Sequence, residues 1–130
     1  MRRNGLLPAA LLLACSGLSA CAPAEVTVPS KETPSSHHFS ATYARLNDVE
    51  YADGEVCPFM DRTAGRTLVV FEPGAVGQAH PAGVIVDGVT LLDGTAFRAG
   101  PLYRLKDGHG CGGTHDERAV LVIGDVTLDD

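Results

Sequence analysis

The sequence predicts an all-β fold, a small antiparallel barrel or sandwich of about five to seven short strands, and three observations lead there. Asp-Gly pairs stand at 53–54, 87–88, 93–94 and 107–108, with single glycines between them, so little room remains for helices of ordinary length. The apolar runs between these breaks are rich in β-branched residues, which suit a pleated backbone. Several of the runs are continuous rather than alternating, as expected of strands covered on both faces.

Taken in order, the first candidate element is Ser36 to Ala52, which supports two readings. Phe39, Tyr43, Leu46 and Val49 fall at helical spacing, while Tyr43, Val49 and Tyr51 alternate as in a strand, and both stay open. Strands are expected at Thr67-Leu68-Val69-Val70-Phe71, Val84-Ile85-Val86, Val89-Thr90-Leu91-Leu92 and Ala119-Val120-Leu121-Val122-Ile123. Asp87-Gly88 is the strongest hairpin signal, because a type I′ turn needs positive φ at both central residues. Asp93-Gly94 then turns the chain toward Thr95-Ala96-Phe97-Arg98, so a meander is expected. The irregular Asp-Gly spacing argues against an internal repeat.

Upstream of these elements, Arg2 and Arg3 precede a leucine-rich stretch that ends in small residues and a cysteine, the pattern of a secretory signal. Pro8, Ser16 and Gly17 interrupt the apolar segment from Leu6 to Ala22, which falls short of the ~20 apolar residues a spanning helix needs. Cleavage is the expected fate. The segment closes on Leu18-Ser19-Ala20-Cys21, which resembles the lipobox of bacterial lipoproteins. That resemblance implies cleavage before Cys21, acylation of its sulfur with palmitate-type chains, and a stable hold on a membrane. Two or three chains anchor far more firmly than one, at about 0.8 kcal/mol per buried methylene. Ala22 after the cysteine resembles lipoproteins sorted to the outer membrane in Gram-negative cells. Leu12-Leu13-Ala14-Cys15 fits the pattern less well because Leu13 is bulky, and Asn4-Gly5 after Arg2-Arg3 weakens a twin-arginine reading.

The organisation expected is a signal over residues 1–20, the lipidated Cys21 with a tether over 21–38, and one small β domain over 39–130. Ala22 to Ser36 carries Pro23, Pro29 and Pro34 among Ser, Thr and charged residues, a composition expected to stay flexible. Its reach as a coil would be on the order of 20 Å. Arg2 and Arg3 leave with the signal, so eight of the ten basic residues remain against sixteen acidic ones, a net charge of −8. Nucleic-acid binding needs a basic footprint and is not expected. Docking of the polypeptide itself on anionic headgroups is disfavoured by the same charge.

Cleavage removes Cys15 and acylation occupies Cys21, leaving Cys57 and Cys111, which in an oxidising compartment are expected to pair and staple the domain. Closing a loop of that span contributes about 4 kcal/mol in the chain-entropy model. The alternative is a metal loop, His109-Gly110-Cys111-Gly112-Gly113-Thr114-His115, in which His109, His115 and a free Cys111 hold zinc or copper, with Cys57, His80 or the His37-His38 pair completing the shell. It lacks any established zinc spacing. The same loop has no Gly-Lys-Ser/Thr for a phosphate-binding P-loop, and Asp48, Glu50, Asp53 and Glu55 around Gly54 miss the calcium-loop offsets, leaving an exposed acidic hairpin.

No nucleophile elbow is present, the serines after Cys21 cluster in or beside the expected tether, and a Cys-His pair would require a free thiol. The expected role is therefore a membrane-anchored, non-catalytic binding or structural module of the cell envelope, with no cofactor. Its partner is an envelope protein or small-molecule ligand that the sequence does not name. A periplasmic zinc- or copper-binding lipoprotein is the alternative.

Overall fold

The computed structural model describes residues 26–34 and 41–129. Cys15, Cys21, the His37-His38 pair and the expected signal lie outside these residues. In chain order the strands are β1 (Thr42–Arg45), β2 (Asp48–Ala52), β3 (Glu55–Arg62), β4 (Gly65–Phe71), β5 (Val76–Ala79), β6 (Ala82–Val86) and β7 (Val89–Leu92). They continue as β8 (Ala96–Ala99), β9 (Leu102–Arg104), β10 (His109–Cys111), β11 (Thr114–Asp116), β12 (Ala119–Val122) and β13 (Thr127–Leu128). The described residues contain no helix. The expected all-β class holds, with thirteen strands in place of the smaller number expected.

A five-stranded sheet in the order β2-β3-β4-β12-β9 organises the molecule; β5-β6-β7 and β1-β8-β13 form two three-stranded sheets, and β10-β11 a hairpin. Asp53-Gly54 and Asp87-Gly88 close β2-β3 and β6-β7 with φ of 52° and 77°, and 50° and 79°, the double positive φ of a type I′ turn. The stretch that read equally as helix or strand forms β1 and β2. Between them the fully buried Leu46 bends the chain inward, and Asn47 takes an amide from Asp61 on its side-chain oxygen at 2.7 Å.

The antiparallel expectation needs one correction, because β4 and β12 run parallel, pairing Leu68 with Ala119 through Phe71 with Val122. Parallel neighbours require a long crossover, supplied here by residues 72–118. Both strands are buried throughout their apolar runs, as a parallel pair covered on two faces requires. Val56, Met60, Val69, Phe71, Val120 and Val122 project from the first face and pack with Val84 of β6, Leu91 of β7 and Phe97 of β8. Cys57, Phe59, Leu68, Val70, Ala119 and Leu121 project from the second, against Leu105, Cys111 and Ile123. Continuous apolar sequence thus reports two cores.

The meander also ends sooner than expected. At Asp93-Gly94 the Thr95 hydroxyl accepts the Leu92 amide at 2.9 Å, and backbone bonds from Leu46 to Thr95 and from Gly94 to Leu46 carry the chain away from β7. β8 consequently pairs with β1 and β13.

The largest departure is in the expected tether, whose residues 26–31 are part of the domain. Val56 donates its amide to Thr27 at 2.8 Å, Phe71 to Pro29 at 3.0 Å and Gly77 to Val26 at 3.0 Å, while Lys31 donates to Phe71 at 3.0 Å. Val28 is buried in the first core and Pro29 is fully enclosed. Proline lacks an N–H but keeps its carbonyl, so Pro29 serves as an acceptor in an extended segment, and Val26-Thr27-Val28 supplies the β-branched residues.

Candidate functional site

The reactive residue types found in the sequence gather where the β2-β3 hairpin meets β10-β11. Cys57 lies on the second face of β3, and Cys111 ends β10. They form a buried disulfide with Cα atoms 5.9 Å apart, so neither sulfur is free as ligand or nucleophile. Gly112 follows at φ +61°, where a Cβ would stand 3.1 Å from the Ala52 Cβ and 3.3 Å from the Cys57 sulfur. Its amide donates to Glu55 at 2.8 Å. Glycine here lets the hairpin tip approach closely enough for the disulfide and the carboxylate to hold it.

Glu55, Cys57 and Cys111 bring three metal-ligating types within 4.8 Å of one another, but the sulfurs are bonded to each other and Glu55 accepts the Gly112 amide. The metal loop considered from sequence is not assembled. Strand pairing sets His109 opposite Asp116 and Gly110 opposite His115, and because side chains alternate, the two histidines emerge on opposite faces of the hairpin. His109 Nδ1 lies 2.8 Å from the Gly110 carbonyl, and His80 packs edge-on against Tyr51 with ring centroids 6.0 Å apart.

The acidic hairpin is held in place by one cation. Arg66 reaches Asp48 and Glu50 at 2.6 Å each and lays its guanidinium 3.6 Å from the centre of the Phe59 ring. Burial pulls the Arg66 pKa down, but hydrogen bonds and attraction from Glu50 and Asp48 outweigh it and leave the group above its ordinary value. The arrangement covers the Phe59 ring of the second core and engages two of the four hairpin carboxylates, Asp48 and Glu50.

A further feature was not legible in the sequence. Arg62, Arg104 and Arg118, distant along the chain, line one cleft of ≈ 390 Å³ with Thr67, Leu102 and Val120. The strand order β3-β4-β12-β9, with β4 and β12 parallel, brings these residues together, and no local pattern in the sequence marks it. Comparison of the chain with family models, curated proteins and solved structures finds no match.

Proposed function

We propose that this protein is an exported lipoprotein, anchored through an acylated Cys21, whose folded part is a non-catalytic binding or structural module of the cell envelope. The observation that carries the reading is Leu18-Ser19-Ala20-Cys21 behind a basic, leucine-rich segment. A buried disulfide supports it independently, since such bonds persist in oxidising compartments and are rare in the cytosol. With both sulfurs bonded, a thiol nucleophile is not available at Cys57 or Cys111. The two cores on either face of the five-stranded sheet favour a layered sandwich over a closed barrel.

Docking of residues 26–31 onto the domain leaves only residues 22–25 between the anchor and the folded part, so the module would sit against the bilayer rather than at the end of a long coil. In a Gram-negative host, Ala22 favours the outer membrane. Mass spectrometry of the mature N-terminus is the test. An acylated cysteine preceded by loss of residues 1–20, with Cys21→Ser releasing the protein from membranes, is the expected result. An unmodified N-terminus elsewhere refutes the anchor.

A further inference from the structure

Strand alternation gathers the cations of the cleft on one side of the sheet. Thr67 pairs with Met60, and Val120 stands between Val69 and Arg104, so Arg62, Thr67, Val120 and Arg104 share the first face, at an end beyond its apolar core. Arg118 immediately precedes β12. Its carbonyl accepts the Leu68 amide at 2.9 Å, and its guanidinium lies against Gly65, where a Cβ would come within 3.6 Å of Nη1. Three arginines therefore line one concavity together with Leu102 and Val120.

The charge distribution is unlike that of an ordinary solvated face. Of the eight basic residues after Cys21, four (Arg62, Arg104, Lys106 and Arg118) line this cleft and the depression beside it, whereas only Asp107 and Glu117 of the sixteen acidic residues do. Elsewhere, Arg66 pairs with Asp48 and Glu50, and Arg98 with Asp129. Among the described residues, none of the four clustered cations has a carboxylate within ion-pair distance. Like charges held together without partners repel, and an anion relieves that repulsion.

We propose that the cleft binds a small soluble oxyanion, a carboxylate or phosphate carried on a short apolar group. Guanidinium forks match the planar geometry of such oxygens and donate two hydrogen bonds at once. The Thr67 hydroxyl donates to the Gly65 carbonyl at 3.0 Å, so the arginines carry recognition while Leu102 and Val120 offer apolar contact. The volume of ≈ 390 Å³ falls in the range of small-molecule sites, about 300–1,000 Å³. A bilayer is the poorer occupant because the site is concave and the chain after Cys21 is strongly acidic. The inference deepens the binding-module reading and is independent of the anchor, so N-terminal mass and ligand titration can fail separately.

The test is calorimetric titration of the full mature chain, in zwitterionic nanodiscs where it carries the acyl anchor and in buffer where it does not, with hexyl phosphate and, separately, inorganic phosphate. Saturable one-to-one binding of hexyl phosphate is expected at about 0.1–1 mM, tighter than inorganic phosphate. Arg118→Gln should weaken it roughly tenfold and Arg104→Gln/Arg118→Gln about tenfold more, with unfolding midpoints unchanged. Arg98→Gln, outside the cleft, should bind as the parent does. Absence of saturation by about 10 mM, binding indifferent to the double substitution, or an equal loss in Arg98→Gln overturns the proposal; affinity no greater than for inorganic phosphate removes its apolar part. Arginine-dependent cosedimentation of the Cys21→Ser chain with phosphatidylglycerol vesicles, without hexyl phosphate binding, would replace the soluble ligand with a membrane surface.

Discussion

Gly112 and Gly88 share a positive φ but not a neighbourhood, and the difference separates backbone strain from packing. A Cβ at Gly88 meets nothing within 4 Å, whereas at Gly112 it presses on Ala52 and the Cys57 sulfur. Gly88→Ala is expected to cost about 1 kcal/mol through left-handed strain alone. Gly112→Ala adds overpacking beside the disulfide and should cost about 2 kcal/mol or more. Urea unfolding of the two variants checks the order; equal losses would show that the hairpin tip yields freely. The histidines give the opposite expectation. Replacing both His109 and His115 with Ala should leave stability within about 0.5 kcal/mol of the parent, and added zinc should not shift the melting of either protein. Zinc-dependent stabilisation lost in the double variant would restore the metal reading.

At the scale of elements, the segment 26–31 behaves as an extra strand of the domain. It fills backbone partners at Val56, Phe71 and Gly77 and places Val28 in the first core. Val28→Asp is therefore expected to destabilise the domain by more than 2 kcal/mol, since an unpaired carboxylate would enter an apolar site. A flexible tether would tolerate the change without measurable effect, so thermal denaturation decides between the two. Composition pointed to a tether because prolines and hydroxylated residues reduce the apolar surface available for burial. It carried no information on whether existing strands had unpaired edges for an extended segment to complete.

Across the whole molecule, the disulfide joins β3 of the five-stranded sheet to the crossover that covers its second face, spanning 54 residues. Cys57→Ala or Cys111→Ala should cost about 2 to 5 kcal/mol, measured by urea unfolding of each variant against the parent. Faster hydrogen exchange at β10 and β11 than in β4 or β12 would place the loss in the crossover. A loss below about 1 kcal/mol would mean that the two cores hold the crossover without covalent help.

Local sequence established the class of fold, the Asp87-Gly88 turn and the presence of strands covered on both faces, and it favoured the pairing of Cys57 with Cys111. The first three follow from short-range rules, steric limits on φ and the preference of β-branched residues for pleated backbone, while the cysteine pairing rests on the expectation that Cys15 leaves with the signal and Cys21 is acylated. The tertiary structure alone decided that β4 and β12 run parallel, that β8 leaves the meander for β1, and that Arg62, Arg104 and Arg118 share a cleft. Those outcomes depend on which strand edges meet. Their energies come from burial and hydrogen bonding between residues far apart in sequence, for which a local pattern holds no record.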